Sequence, residues 1–596
     1  MLLHPYHGVV HDARLYTIQA LSHLHPELYG NDVFVRFGSQ DDFTLFSPIY
    51  AWAITLVGVE PAAAIITFSS ICLFLAATWV LARTILTTKQ SSVALLLVVV
   101  VPTYYGAGRI FHVLEGFVSP RQLAEALTLF CLAAWLSNRR ALGIVLAGCA
   151  MLIHPIIGLS GLVLVAMLDW ILPHWRRLWP MALLITLVST LALMDLLPIS
   201  RWQFDAEWHE IVMRRTYLSM RYWNSDDWGR VAAVIATLTT ASLFLEGNIR
   251  RLAIAGLATT VSLMLLALVG GDLLQVVVVV QAQPWRVLWL ATLLAILLLP
   301  PLFVYGWRGN PLARCALLLI AAAWAAPYST PALAVSPLAV VAAACVKRSN
   351  SPRVGLLLVC GATACLLTII SFSLATAILS LGEGLTRVES LPSSMDRILT
   401  FADDGVPPAL VILGGAYIWS RFPSRMTSSA LAGLLVLSIA ALSIPTLGTW
   451  TMSRYNGKLH SAFAEWRNHI PPGSDVMWVG EESSWGDGAT NTWLLLERPS
   501  FLSGAQAPNA LFSRPAAIEM RNRAKSLWGV LPFADPFRPK KSNISEPPRP
   551  LTLAPVCQTD VVKFIVTQST MVDATPIRAP AATPPHLRDY KLYICT

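Results

Sequence analysis

The sequence predicts a mainly α protein: a polytopic transmembrane helical bundle of about 13–15 spans, followed by a C-terminal extracytoplasmic α/β domain. Three observations predict it. Of 596 residues, 55% are hydrophobic and 13% charged, whereas soluble domains carry about 25% charged residues. The apolar residues fall in successive runs of near-spanning length. Basic residues occupy every second connection between those runs, the pattern of cytoplasmic loops.

Three regions follow: an outer-face loop with amphipathic helices over 1–60, the bundle over 61–446, and the extracytoplasmic domain over 447–596. In the first, Leu15, Ile18, Leu21 and Leu24 recur at helical spacing, and Pro26 ends the pattern. This helix is too polar to span and is expected to lie along the membrane surface. Residues 45–58 are apolar but short, which predicts a second surface helix or a shallow insertion.

Candidate spans then run over 61–84, 91–104, 121–137, 141–153, 155–172, 178–197, 228–246, 251–270, 286–306, 312–327, 332–346, 354–381, 408–421 and 428–446. Arg83/Lys89, Arg139/Arg140, Arg176/Arg177, Arg250/Arg251, Arg308/Arg314, Lys347/Arg348/Arg353 and Arg421/Arg425 mark the cytoplasmic turns. The other connections therefore face outward: 1–60, 105–120, the His154-Pro155 turn, 198–227, 271–285, 328–331, 382–407 and everything after 447. This register places Asp12 outside with no span before it, so either the short N-terminus is itself translocated or a first span lies upstream of residue 1, and the second is expected.

After 447 the prolines and charges rise. Residues 462–470 read as a helix. Residues 475–479, 494–496, 561–566 and 590–594 read as strands of a small α/β domain, and 534–552 as a long loop. Seven cysteines lie in apolar segments and read as buried hydrophobes. Cys557 and Cys595 lie in the outward domain, where they form a natural disulfide pair.

The net charge of +9 does not point to nucleic acid, because the basic residues sit in short inter-span turns and no basic stripe with interleaved aromatics exists. No phosphate loop, dinucleotide fingerprint, HExxH or CxxC is present. The charges instead gather in the outward loops. The first holds His11, Asp12, Arg14, Asp32, Arg36, Asp41 and Asp42; the second holds Glu115 and Arg121 in apolar surroundings. Asp12 either caps the first helix or acts as a catalytic or ligand carboxylate. Glu125 lies one turn after Arg121, and an i,i+4 ion pair between them is expected. His154 faces a cavity or bonds to backbone. Arg214, Arg215, Arg221 and Arg286 lie on the outer side, where paired donors suit a phosphate, or where they snorkel to ordinary lipid.

This layout resembles the GT-C class of polytopic membrane glycosyltransferases. The runs HDARLYTIQAL, FGSQDDFTLFSP, SPRQLAEAL, MLIHPIIG, RPSFLSGAQ and FSRPAAIEMRNR are also similar to uncharacterised bacterial multi-span proteins. The GT-C resemblance implies an inverting enzyme that moves a sugar from a polyprenyl-phosphate donor to a glycan, lipid or protein acceptor at the outer face of a bacterial inner membrane. Asp12 and Glu115 would be its catalytic carboxylates. His11, Arg14, Asp41, Arg121, His154, Arg221 and Arg286 would bind substrate. Asp12 with Glu115 could hold Mg or Mn through oxygen ligands. The competing readings are a transporter or flippase of lipid-linked glycans, and a non-catalytic membrane assembly protein that uses Arg498–Ser503 and Phe512–Arg514 as partner surface.

Overall fold

The computed structural model describes residues 6, 8–101, 103–171, 202–213, 216–325, 330–346, 352–385, 457–479, 487–533, 537, 550–580, 583 and 585–595. The expected spans 178–197, 408–421 and 428–446, and the arginines Arg214 and Arg215, lie outside these residues.

The described chain is mainly helical. Helices Val59–Ile85, Thr88–Val100, Pro120–Leu136, Arg140–Ile153, Pro155–Ala166, Ser225–Phe244, Gly247–Leu266, Leu288–Arg308, Pro311–Ala325, Thr330–Cys345 and Pro352–Leu385 coincide with the other eleven apolar runs. Among the described residues, four helical segments are long and apolar enough to cross a membrane: Val59–Ile85, Gly247–Leu273, Val277–Arg308 and Arg353–Ser371. Leu288–Arg308 is apolar on every side and is the bundle's buried centre, as all-round hydrophobicity requires.

Connections that the charge pattern assigns to one side meet one another. Thr44 donates to the Ile153 carbonyl at 2.6 Å, joining the first loop to the His154 turn. The Gly108 amide donates to Asp227 at 2.9 Å, joining the second loop to the 216–228 segment. Gln203 reaches the Leu274 carbonyl (2.8 Å), and Gln281 reaches Leu511 (3.0 Å). The basic turns meet separately: Arg140 pairs with Asp169, and Asn310 donates to the Val346 carbonyl at 2.8 Å. The first set of connections therefore shares one end of the bundle.

The C-terminal region builds a four-stranded sheet in the order β3-β4-β6-β5 (β3 Val476–Val479, β4 Phe564–Thr567, β5 Ile577–Arg578, β6 Lys591–Ile594). β3 and β4 run parallel; β6 is antiparallel to β4 and β5. Alternation along β3 explains why all four of its residues are buried. Val476 and Trp478 pack with Phe463 and Trp466, while Met477 and Val479 pack under helix Arg514–Leu527. Residues 494–496, expected as a strand, are instead part of a helical turn, Thr492–Leu496. A short apolar run cannot separate these two outcomes by periodicity.

Cys557 and Cys595 form a disulfide that ties the segment before β4 to the end of β6, across 38 residues. Loop-closure entropy for that separation is worth on the order of 3–4 kcal/mol. Reduction is expected to lower the midpoint of the domain's unfolding. A Cys557→Ser variant should melt at the reduced protein's temperature and stop responding to reductant.

The first helix, Ala13–Leu24, corrects an expectation. It does not lie along a surface. Arg14, Thr17 and Gln19 are buried along with its apolar face. Thr17 shares a hydrogen bond with Tyr50 of helix Phe46–Val57 (3.2 Å), and Gln19 donates to Ser39 (2.8 Å). Its core cluster includes Phe117 and Val118 of the second loop and Trp493 of the C-terminal domain. The polar face that suggested water is covered by polar partners distant in sequence.

Candidate functional site

The site forms where the first and second loops meet the start of helix Pro120–Leu136. Ser119 caps that helix by accepting from the Arg121 amide. Arg121 is therefore in the first turn, and helical side chains tilt toward the N-terminus. Its guanidinium reaches back to two carboxylates. Nη1 donates to Asp12 Oδ2 at 2.7 Å. Nε donates to both oxygens of Glu115, at 3.0 and 3.1 Å. Nη2 lies 2.7 Å from Glu115 Oε1 as an ion pair, off the hydrogen-bond direction. Arg121 and Glu115 are almost wholly buried. A buried charge triad of this kind holds only while every member is present.

Asp12 does not cap the first helix. Its own backbone is already helical (φ −69°, ψ −18°) and its side chain makes no cap bond. Its second oxygen lies 3.2 Å from His11 Nδ1. Burial alone would raise this carboxyl, but His11 and Arg121 outweigh it and hold Asp12 well below the usual carboxylate range. The Asp12 charge in turn raises His11 above the ordinary histidine value. The His11 side chain is 45% exposed and its ring packs on Phe117 with centroids 5.4 Å apart.

Phe111 joins this triad to a second cation. The Arg121 guanidinium lies 4.9 Å from its ring centroid, and that of Arg286 lies 4.2 Å from it. Arg286 is buried, and its Nε donates to Gln283 at 2.9 Å. Among the described residues no carboxylate pairs with it. The two cations thus share one aromatic ring, and only Arg121 pairs with carboxylates among the described residues. His154 lies in the same field, buried, its Nδ1 accepting from the Ile157 amide at 3.4 Å. That bond fixes the neutral ring with its proton on Nε2.

Backbone strain concentrates here. His11, Leu114 and Gln283 have φ of 50°, 67° and 44°, in the left-handed region that non-glycine residues avoid. Each stands within three residues of Asp12, Glu115 or Arg286, and such outliers persist where the surroundings over-determine the chain. Gly106 (φ +80°) lets the β1–β2 hairpin (β1 Tyr104–Tyr105, β2 Phe111–His112) close on Trp285, whose ring would lie 2.7 Å from an added Cβ.

The other sequence candidates are distributed as follows. Arg14 is buried in the first turn of its helix. Asp41 pairs with His23 at 2.8 Å, outside the triad. Arg221 is exposed, stacks on Tyr222 and donates its amide to Asp272. The expected Arg121–Glu125 pair is replaced by the two upstream carboxylates. The Arg121 guanidinium lies between Asp12 and Glu115, where Mg or Mn could be held, and contacts both carboxylates. No cluster of three metal-ligating side chains occurs among the described residues. Arg498, Ser500, Phe501 and Leu502 are buried, and Arg498 donates to the Ile470 and Arg467 carbonyls. That motif is interior scaffold and not partner surface. Sequence reasoning missed Phe111, whose only signal was its place between two charged residues, Arg109 and Glu115, in an outward loop.

No family model matches the chain, and no curated protein or solved structure shows significant similarity to it.

Proposed function

We propose that this protein is an integral membrane transferase that moves a sugar from a polyprenyl-phosphate donor to an acceptor at the outer face of a bacterial inner membrane. The reading includes the bundle of about 13–15 spans and an extracytoplasmic C-terminal domain. Arg286 carries it. A buried guanidinium without a counter-anion is costly unless a ligand supplies one, and its planar donors suit a phosphate. It lies beside the Asp12–Arg121–Glu115 triad and just before the apolar helix Leu288–Arg308, at the loop-bearing end of the bundle. A transporter would carry such charges near mid-span; here they cluster at the loop-bearing end.

The chemistry needs little else. The carrier phosphate is a good leaving group once its developing charge faces a cation. The acceptor hydroxyl needs alignment and a proton acceptor.

The test is a thermal shift of the purified protein with a polyprenyl phosphate against the matching uncharged polyprenol. Wild type should be stabilised by the phosphate alone. Arg286→Gln should lose affinity on the order of tenfold to a hundredfold, the worth of one or two charge-assisted hydrogen bonds. Equal binding by the variant and wild type removes the reading's main support. Lipid-linked glycan profiling of an Asp12→Asn strain supplies the matching cellular readout, with accumulation of an unused donor expected.

A further inference from the structure

We infer that His11, and not Asp12, accepts the proton of the acceptor hydroxyl, and that Asp12 and Arg121 act on it as positioning residues. The inference rests on the transferase reading. Both Asp12 oxygens are already engaged, Oδ2 by Arg121 Nη1 at 2.7 Å and Oδ1 by His11 Nδ1 at 3.2 Å. A proton delivered to that carboxylate would have to displace one of these partners and leave the buried Arg121 charge half-matched. Glu115 is held by Arg121 in the same way and is buried. Each carboxylate is thus committed to the guanidinium.

His11 differs in three respects. Its side chain is 45% exposed, while that of Asp12 is 25% and that of Glu115 4%. Asp12 engages only Nδ1, and no protein group bonds Nε2 among the described residues. Its backbone is left-handed (φ 50°) and its ring packs on Phe117. A carboxylate that fixes one imidazole nitrogen so that the other can take a proton is the general positioned-base arrangement. The charged groups facing His11 are Asp12 beside it and Arg121 and Glu115 from the second loop and its helix. Asp12 stabilises the imidazolium, Arg121 opposes it, and the net effect raises the pKa.

The step balances. The acceptor O–H proton passes to His11 Nε2 as the acceptor oxygen bonds to the sugar's anomeric carbon. The bond from that carbon to the carrier phosphate breaks, and its electron pair leaves with the phosphate, whose charge faces Arg286. The imidazolium stays paired with Asp12 until water takes the proton.

The test uses full-length protein in lipid nanodiscs, a radiolabelled polyprenyl-phosphoryl sugar and an alkyl glycoside acceptor, with transfer followed against pH. Because the neutral imidazole is the active form and its pKa is raised, wild-type kcat should climb through a limb above the ordinary histidine value of about 6.5. Asp12→Asn should keep the limb but move it to lower pH and lower its kcat plateau, with the donor KM little changed. His11→Gln should abolish the limb and lower kcat by on the order of a hundredfold or more, while polyprenyl-phosphate binding in the thermal-shift assay shows that it remains folded. Histidine-selective NMR gives an activity-free check: the His11 titration should shift to lower pH in Asp12→Asn. A His11→Gln enzyme that keeps the limb, or a His11 titration unmoved by Asp12→Asn, overturns the inference and leaves the transferase reading standing. A wild-type protein that neither binds polyprenyl phosphate nor transfers from it overturns both.

Discussion

Replacing Arg121 with glutamine is expected to destabilise the protein by about 3–5 kcal/mol, the usual result of removing one partner from a buried ion pair. The loss is not that of two good contacts. It comes from what remains: Glu115, almost wholly buried and stripped of its guanidinium, and Asp12, a quarter exposed and left with His11 alone. Glu115 loses all three of these contacts, because they come from the one guanidinium. Lysine should not rescue it, since a point charge cannot span two carboxylates as the planar fork does.

The same argument predicts the sign of a coupling. Glu115→Gln in an Arg121→Gln background should restore part of the stability, because it discharges the more buried of the stranded carboxylates. Denaturation in detergent of the two single variants and the double variant measures this. A double variant as unstable as the sum of its parents would show that the triad is not acting as a unit. An Arg121→Gln protein as stable as wild type would remove the triad from the scaffold altogether.

Much of the bundle was legible in the sequence because membrane helices are written as apolar runs between basic turns, and that signal is local. The site was legible in residue type and only partly in pairing: Asp12 was placed with Glu115, as their shared guanidinium has them. Asp12, Glu115, Arg121 and Arg286 stood out as charges in apolar company. Arg121 was paired with Glu125 by helical spacing, but a first-turn side chain leans back past its own N-terminus, toward residues 115 and 12. Of the two readings of Asp12, cap or catalytic or ligand carboxylate, the cap fails because a residue already in helical conformation cannot hold the cap geometry. The burial of Thr17 and Gln19 depends on Tyr50 and Ser39, and the partners of residues 29–37 lie more than 400 positions away. No local pattern records such contacts.

Those distant partners set the second large effect. Asp32→Ala should cost about 5 kcal/mol and detach the N-terminal segment from the C-terminal domain. Asp32 is fully buried and its carboxylate accepts four hydrogen bonds. Oδ1 takes the Phe34 amide (2.9 Å) and Gln506 Nε2 (2.8 Å); Oδ2 takes Trp493 Nε1 (2.7 Å) and the Ser500 amide (2.8 Å). Three of the four donors belong to the C-terminal domain, so alanine strands buried donors on both sides of the joint, at about 1–3 kcal/mol each. Asparagine should not restore it. Whichever way its amide is turned, the NH2 group faces two donors. Around Asp32 the joint continues with Tyr29 donating to the Trp493 carbonyl, Asn31 to Gly473 and Asn509 to Phe34. The first helix, which leads from His11 and Asp12 to this joint, is thereby held at both ends. Loss of Asp32 should therefore expose 29–37 to limited proteolysis and also lower transfer activity, although Asp32 lies outside the triad. Unchanged melting together with unchanged cleavage in Asp32→Ala would show that the joint is held by its apolar contacts, Val33 and Phe34 among them, and not by this carboxylate.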